Sequence, residues 1–314
     1  MNVVYHYSAG PRLTGRLAEL EREGLSVSVC AMSDRARFAR LLPGTDVLWH
    51  LLEPVTAEVV AAAPRLRLVQ KIGVGVNTID LEASRRRGVA VCNMPGTNTR
   101  AVAEMTLLLM LGALRRVSRL DAATRAGRGW QLPAELQDSY GEVGGRTVGL
   151  VGCGAVASRL APILRAMGAR VLYASRSEKP GAAGERRPLA DLLAESDVVS
   201  LHVPLTPETE RLIDAEAIAR MKPGAVIVNT ARGALIDEAA LVDALSTGRV
   251  GAAGLDVFET EPTPAGSALL ALDNVVCTPH LAWLTHETLE RSLAVAIENC
   301  RRLAAGEELL HRVV

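Results

Sequence analysis

Short apolar runs alternate along this chain with longer stretches of helical periodicity. A first series of runs lies near residues 3–5, 27–30, 47–51, 68–72 and 89–92. A second series lies near residues 147–151, 171–174, 198–201, 225–229, 251–256 and 275–277. The runs are continuously apolar, which is typical of parallel strands buried on both faces. Strands that alternate with helices in this way predict an α/β fold with two doubly wound parallel sheets.

Two long helical patterns accompany the two series of strands. One covers Arg100–Leu120 between the series, and the other covers Thr285–Ala305 after the last strand. A chain of 314 residues is long enough for two domains. We therefore predict a discontinuous domain of residues 1–98 and 283–314, a second domain of residues 99–282, and a cleft between them.

The segment TVGLVGCGAVASR has small residues where a nucleotide-binding turn needs them. Gly152 permits a tight turn after the strand, and Gly154 lets the backbone approach a pyrophosphate without an intervening Cβ. Ala157 takes the third glycine position and is small enough for close packing of the helix on the strand. The helix begins at Ala155 and Val156, and the N–H groups of its first turn would hold the phosphates. These features predict a Rossmann-type dinucleotide-binding domain.

The second strand of that domain ends without a carboxylate. In the NAD fingerprint an acidic residue at this position holds the ribose hydroxyls, whereas here Ser175, Arg176 and Ser177 follow the strand. The serines can donate hydrogen bonds, and a guanidinium can grip a 2′-phosphate. We therefore predict that NADP(H) is preferred over NAD(H). The alternative is that Arg176 is one more arginine in a chain whose 35 basic residues include only three lysines.

Three segments in the second half place chemically useful side chains after predicted strands. Arg232 lies in NTARG, Asp256 and Glu261 lie in LDVFETEP, and His280 lies in TPHLAW. Ligands bind at the carboxyl ends of strands in open α/β sheets, so these side chains would share one edge. Histidine titrates near neutral pH and can protonate a ketone oxygen, while a carboxylate on its other ring nitrogen orients it. A nearby guanidinium can bind a substrate carboxylate.

In these motifs and their order the chain resembles the D-isomer-specific 2-hydroxyacid dehydrogenases, the family of D-glycerate, glyoxylate/hydroxypyruvate and phosphoglycerate dehydrogenases. The resemblance covers most of residues 45–305 and includes GVGVNTID, NMPGTNTRAVAE, GCGAVA, HVPLTPET, NTARG, LDVFETEP and TPHLAW. It implies a Rossmann-type cofactor domain, a flavodoxin-like substrate domain, and reduction of a 2-keto acid to a D-2-hydroxy acid.

The resemblance also implies roles for individual residues. Arg232 would bind the substrate carboxylate and carbonyl, and His280 would be the general acid/base with Glu261 as its partner. The amides of Val74 and Gly75 would hold the carboxylate from the other domain, so that closure of the cleft assembles the site. Further residues implied to contact the cofactor are Thr106, Val203, Pro204, Thr209, Thr230, Ala231 and, at the nicotinamide amide, Asp256; those implied to contact the substrate are Leu51 and Trp283.

One strand end of the first domain favours an unphosphorylated substrate. His50, Leu51, Leu52 and Glu53 stand where phosphoglycerate dehydrogenases tend to place basic, hydroxyl-rich residues, and an apolar pair with a carboxylate poorly suits a phosphate dianion. We predict glyoxylate or hydroxypyruvate as the substrate. Glu261 argues against the formate dehydrogenase branch, which pairs its histidine with glutamine. The alternatives are a phosphoglycerate dehydrogenase-like enzyme and a dinucleotide-sensing binding protein without turnover.

Composition narrows the partners and the compartment. The formal net charge at pH 7 is zero, which does not favour a nucleic-acid partner. Five cysteines without a CxxC spacing predict buried, reduced thiols and no metal site. The start MNVVYHYSAG lacks a signal-peptide pattern, so we predict a cytoplasmic protein. The longest apolar run, Met105–Leu114, is too short to span a bilayer. The resemblance implies a homodimer through the apolar segment 101–114, with Trp130 and Tyr140 in the loop beyond it.

Overall fold

A computed structural model describes residues 1–131 and 133–314, which form two compact units. The first unit combines Met1–Asn98 with Thr285–Val314, and the second is Thr99–Leu284. Each unit contains its own parallel sheet. The α/β class predicted from the alternating apolar runs is therefore confirmed.

The first unit is built on a five-stranded sheet. Its strands are β1 (Asn2–His6), β2 (Ser26–Val29), β3 (Val47–His50), β4 (Leu68–Lys71) and β5 (Ala90–Cys92). Its first four helices are α1 (Pro11–Glu19), α2 (Arg35–Leu41), α3 (Ala57–Ala62) and α4 (Leu81–Arg86). The strand order is β2-β1-β3-β4-β5 and all neighbours are parallel. This is the flavodoxin-like order that the resemblance implied.

The second unit is built on a seven-stranded parallel sheet. Its helices are α5 (Thr99–Leu114), α6 (Val117–Arg125), α7 (Ala155–Ala166), α8 (Leu189–Glu195), α9 (Ala215–Arg220), α10 (Glu238–Ser246) and α11 (Ala268–Ala271). Its strands are β6 (Thr147–Val151), β7 (Arg170–Ala174), β8 (Glu185–Arg186), β9 (Val198–Leu201), β10 (Ala225–Asn229), β11 (Val250–Leu255) and β12 (Val275–Cys277). The order β12-β11-β10-β9-β6-β7-β8 contains the Rossmann arrangement, with β6 as its first strand.

Close packing of a helix on the sheet explains one glycine of the second unit. A Cβ on Gly254 of β11 would lie 2.8 Å from the carbonyl oxygen of Leu109, so only glycine lets the backbone of α5 approach the sheet this closely.

A last helix, α12 (His286–Ala305), returns to the first unit. There Asn299 donates to the side-chain oxygen of Gln70 on β4 at 2.6 Å and accepts the amide of Leu310 at 2.7 Å. These buried bonds tie the end of the chain to the first sheet.

The helix predicted over residues 100–120 is wrong in one respect, because it is two helices. α5 ends at Leu114 and α6 begins at Val117, and Arg116 between them has a φ of 53°. A left-handed residue reverses the local backbone and ends the helical hydrogen bonding. The polar pair Arg115 and Arg116 interrupts the apolar pattern at this place.

Pro162 predicts a bend or break in the helix after the glycine turn. The break does not occur, since α7 runs from Ala155 to Ala166 with Pro162 inside it. Pro162 and Ser158 both lie on the exposed face. Proline has no amide to donate to the Ser158 carbonyl, so the helix continues through this turn with one hydrogen bond fewer.

Cysteine burial differs from the prediction at one position. Cys30, Cys92 and Cys300 are buried and Cys153 is half-buried, but Cys277 is exposed at the end of the edge strand β12. In the described part of the chain, no three His, Cys, Asp or Glu side chains group as metal ligands. Across the same residues, no helix combines the length and apolarity that crossing a bilayer requires.

Candidate active site

His280 and Glu261 form a hydrogen-bonded pair beyond the strand ends of the second sheet. His280 Nδ1 lies 2.6 Å from Oε2 of Glu261, and Oε1 of the same carboxylate accepts the Phe258 amide at 3.0 Å. Burial acts to raise the pKa of Glu261, but hydrogen bonds from His280 and Phe258 and the charge of Arg232 hold it below its usual range. The carboxylate is therefore ionised near neutral pH. Because it contacts Nδ1 of His280, the other ring nitrogen, Nε2, is the one that can exchange a proton with a reactant.

The backbone of His280 is held in an unusual conformation. Its φ is 55°, a region that residues other than glycine adopt rarely and mainly where surrounding contacts enforce it. Its amide donates to the Asp256 carbonyl at 2.7 Å, and its carbonyl accepts Nε1 of Trp283 at 3.1 Å. Trp283, predicted to contact substrate, is 8% exposed and thus supports the turn that carries the imidazole.

The Asp256 carboxylate anchors the same turn. One oxygen accepts the Thr278 hydroxyl at 2.5 Å and the Leu281 amide at 2.9 Å, and the other accepts the Ala282 amide at 2.8 Å. Burial raises the pKa of Asp256 against the opposing effect of these hydrogen bonds. The bonds give Asp256 a structural task at His280, in addition to the contact with the nicotinamide amide that the resemblance implied.

Arg232 follows β10 in a turn built by Asn229. The Asn229 side chain accepts the Ala231 amide at 3.0 Å and donates to the Arg232 carbonyl at 2.8 Å. The guanidinium donates from Nη1 to the Ala231 carbonyl at 2.6 Å. Burial lowers the pKa of Arg232, and the charge of Glu261 opposes that shift. The structure thus brings Arg232, Glu261 and His280 together.

The glycine turn has the shape that a pyrophosphate requires. Gly152 has a φ of 103°, and a Cβ there would lie 2.7 Å from the carbonyl oxygen of His202. Gly154 caps the N-terminus of α7, and a Cβ there would meet no atom within 4 Å. The first turn of α7, with Ala155 and Val156, therefore opens onto free space that a side chain at Gly154 would enter. These residues fit a dinucleotide phosphate group.

Two further groups of predicted cofactor residues are linked among themselves. The hydroxyl of Thr106 on α5 donates to the Val102 carbonyl at 2.7 Å and lies 2.8 Å from the hydroxyl of Thr230, which precedes Ala231. The Thr209 hydroxyl donates to the Pro204 carbonyl at 2.7 Å and closes the loop that begins at Val203. Thr230 and Ala231 follow β10, and Val203, Pro204 and Thr209 follow β9, whereas Thr106 reaches Thr230 from α5.

The loop after β7 contains an interaction that the sequence did not indicate. The Ser175 hydroxyl donates to the Ser177 carbonyl at 2.5 Å, so its proton is used inside the loop. Arg186 of β8 donates to the Ser175 carbonyl at 3.3 and 3.1 Å and to the Arg176 carbonyl at 3.1 Å. Hydrogen bonding to Thr206 and its own backbone, together with the charge of Arg176, lowers the pKa of Glu208.

In the first unit, the predicted substrate residues lie in loops after β3 and β4. Val74 is 45% exposed, and its carbonyl accepts the Asn93 side chain at 2.9 Å. Val74 precedes Gly75, as in the predicted carboxylate-binding pair. Leu51 is buried, and its carbonyl accepts Nζ of Lys71.

Lys71 is a residue that the sequence reasoning missed. It ends β4, pairs in register with His50 on β3, and is 7% exposed. Residues 50–53 disfavour a phosphorylated substrate, but a cation ends the neighbouring strand β4. The available signal was the single charge in the apolar run 68–72.

A family model described as "D-isomer specific 2-hydroxyacid dehydrogenase, NAD binding domain" matches residues 107–282. The chain belongs to this family. The predicted resemblance is confirmed, and with it the presence of a nicotinamide dinucleotide-binding domain. The described fold agrees with this assignment, because residues 107–282 contain the whole Rossmann sheet.

Individual relatives fall into two groups by name. The chain is 43% identical over 279 residues to a D-3-phosphoglycerate dehydrogenase of Mycobacterium leprae, covering 87% of this chain and 52% of that protein. It is 43% identical over 270 residues to a glyoxylate reductase of Aeropyrum pernix, covering 83% of this chain and 81% of that protein. The chain thus spans about half the length of the first relative. Both relatives are oxidoreductases, which is the enzyme class predicted.

A solved structure matches along its whole length. The crystal structure of the TT0316 protein from Thermus thermophilus has a TM-score of 0.90 and 40% sequence identity, with 100% of both chains covered. The same pair of parallel-sheet units is therefore found in a protein whose sequence is three-fifths different.

Proposed function

We propose that this chain uses NADP(H) to reduce a small unphosphorylated 2-keto acid, such as glyoxylate or hydroxypyruvate, to the D-2-hydroxy acid. The observation that carries the proposal is the 2.6 Å contact between His280 Nδ1 and Glu261 Oε2, with Arg232 close enough to alter the pKa of Glu261. An acid held by a carboxylate beside a guanidinium is what protonation of a keto acid requires.

Each side chain has a defined task in this proposal. The glycine turn at Gly152 and Gly154 would hold a reduced nicotinamide dinucleotide, which would supply the hydride for the keto carbon. His280 Nε2 donates the proton that the keto oxygen takes up, and it receives that proton back in the oxidative direction. Glu261 fixes the ring orientation and stabilises the imidazolium. Arg232 binds the substrate carboxylate and stabilises charge that develops on the keto oxygen.

The preference for NADP(H) is supported by the loop after β7. Ser175, Arg176 and Ser177 occupy the position where a carboxylate would hold the ribose of NAD and repel a 2′-phosphate. Arg176 is exposed and carries the charge that a 2′-phosphate needs. The charge of Arg176 helps to lower the pKa of Glu208, so a negative group near this loop already senses the guanidinium.

Lys71 supports a second candidate substrate, a phosphorylated 2-keto acid such as 3-phosphohydroxypyruvate. Its ammonium is buried at the end of β4 and holds the Leu51 carbonyl. A cation at this place could be redirected to a phosphate, and one group of relatives carries the matching name. The apolar Leu51 and the neighbouring Glu53 still favour the smaller, unphosphorylated acids.

A substrate panel tests the proposal. Initial rates would be measured for glyoxylate, hydroxypyruvate and 3-phosphohydroxypyruvate, each with NADPH and with NADH. A higher kcat/KM for either unphosphorylated acid with NADPH supports the proposal, whereas a higher kcat/KM for 3-phosphohydroxypyruvate overturns the substrate. A lower KM for NADH overturns the cofactor preference. Tight NADPH binding without turnover of any acid would indicate a dinucleotide-sensing protein.

We also propose that two copies of the chain associate through α5, α6 and the segment that follows. Leu108, Val117 and Trp130 in this region are 59%, 51% and 99% exposed, which is unusual for large apolar side chains so close together in sequence. Light scattering after size-exclusion chromatography would report a dimer for the wild type and a monomer for Leu108→Glu. A monomeric wild type at micromolar concentration contradicts this part of the proposal.

A further inference from the structure

We infer that Arg186 is a positioning residue that shapes the end of β7 into a site for the 2′-phosphate of NADP(H). The inference rests on the proposed preference for NADP(H) and adds to it the residue that prepares the loop. Arg186 lies on β8, ten positions after Arg176, and pairs in register with Tyr173 of β7.

The contacts of Arg186 form a clamp on two consecutive carbonyls. Its Nε and Nη2 donate to the Ser175 carbonyl at 3.3 and 3.1 Å, and Nη2 also donates to the Arg176 carbonyl at 3.1 Å. Carbonyl oxygens carry partial negative charge and would repel a phosphate. Because one guanidinium donates to both carbonyl oxygens, both carbonyls point to the same side of the loop.

The direction of the carbonyls decides the direction of the amides. Among the described residues, the peptide bonds of this loop are trans, and in a trans peptide the C=O and N–H point in opposite directions. The amides of Arg176 and Ser177 therefore both point away from Arg186. In the described part of the chain, neither amide donates to a protein group. Two successive amides on one side form an anion-accepting concavity.

The neighbouring charged residues limit where an anion can lie. Arg176 carries its own charge in the loop, and Lys179 follows it, while Glu178 and Glu208 carry opposite charges nearby. The remaining basic residues of β8 and its surroundings are engaged elsewhere: Arg187 and Arg170 pair with Glu185 and Glu195. Arg186 has no such carboxylate partner among the described residues, so its charge adds to that of Arg176.

The test is the ratio of the dissociation constants for NADPH and NADH, measured by titration of the purified protein. Arg186→Leu removes the clamp, and we expect NADPH affinity to fall about tenfold while NADH affinity changes by less than about twofold. Arg186→Gln keeps one donor group, so its NADPH affinity should lie between those of the wild type and Arg186→Leu. Arg187→Leu is the matched control, because it removes the same charge from the next residue without touching the loop carbonyls.

The outcomes separate this inference from the proposed cofactor preference. The wild-type ratio alone tests the preference, and the change of ratio in Arg186→Leu tests the clamp. A selective loss of NADPH affinity supports the clamp even if the wild type prefers NADH. An unchanged ratio in Arg186→Leu, or an equal change in Arg187→Leu, overturns the inference.

Discussion

Gly233 lies so close to Phe258 that a Cβ on the glycine would be 1.9 Å from the Phe258 carbonyl carbon. Gly233 follows Arg232, and Phe258 lies in the loop after β11, where its amide donates to the Glu261 carboxylate. The contact therefore holds the guanidinium and the carboxylate in one arrangement. Because Gly233 has no side chain, the loop that carries Arg232 can pack directly against the loop that carries Phe258.

Gly233→Ala tests this contact. The methyl group must push the two loops apart, so we expect a loss of about 1–3 kcal/mol in the free energy of unfolding and a clear loss of kcat. Gly266→Ala is the control, because a Cβ there would meet no atom within 4 Å. Urea unfolding and initial rates would be compared for the two variants. A Gly233→Ala variant with the stability and activity of the wild type would contradict the close contact.

Glu261→Gln tests the task of the carboxylate. A neutral amide can still meet Nδ1 of His280, but it stabilises the imidazolium less. We expect kcat for reduction to fall at least about tenfold, and the alkaline limb of the pH–rate profile to move to lower pH. Glu259→Gln serves as the control, since Glu259 pairs with Arg211 at 3.2 Å. A pH profile identical to that of the wild type would show that Glu261 does not act through His280.

Asp256→Asn tests the anchor of the His280 turn. The carboxylate accepts three hydrogen bonds, and an asparagine must face at least one of those donors with its own NH2 group. We expect a loss of about 1–3 kcal/mol in stability together with a lower kcat. The exposed Asp243→Asn provides the comparison. Unfolding midpoints that coincide for both variants would contradict the anchoring role.

Much of the fold could be predicted because its strands are continuously apolar. β10, AVIVN, is buried at every position, and such runs indicate parallel strands directly. β8 has only two residues, Glu185 and Arg186, and both are exposed. Because β8 has no apolar run, the sequence did not predict this strand, nor the contacts that Arg186 makes from it.

The candidate site was predictable as a set of residue types but less so as a set of contacts. Strand-end positions indicated His280 and Glu261, because motif and topology both place them at one edge. The donors that reach Asp256 come from residues 278–282, and no spacing rule reveals them. Lys71 was missed for a similar reason, since its ammonium donates to the backbone carbonyl of Leu51, in the loop just after the neighbouring strand.

His6 gives a pH dependence that stability measurements can follow. Burial lowers the pKa of His6 to about 4, and the ring stacks on Phe38 with centroids 3.7 Å apart. As the pH falls from about 6.5 to about 4, the unfolded chain binds a proton at this position before the folded one, so stability is lost in that window.

A variant isolates this contribution. His6→Gln loses the stacking but also the proton uptake, so its Tm deficit should be larger near about pH 7.5 than near about pH 5. The charge of His6 also contributes to the lowered pKa of the buried His50, so removing His6 relieves that effect and acts in the same direction. A Tm difference that stays constant over this range would mean that His6 does not titrate differently in the folded and unfolded states.

The central claim is that His280 supplies the proton when a 2-keto acid is reduced. The most direct measurement compares turnover of glyoxylate and hydroxypyruvate by the wild type and by His280→Ala, following the absorbance of NADPH, with NADPH binding measured separately. We predict that His280→Ala binds NADPH as the wild type does and loses about 10²–10⁴-fold in kcat. A variant that binds NADPH and reduces either acid at the wild-type rate would contradict the account.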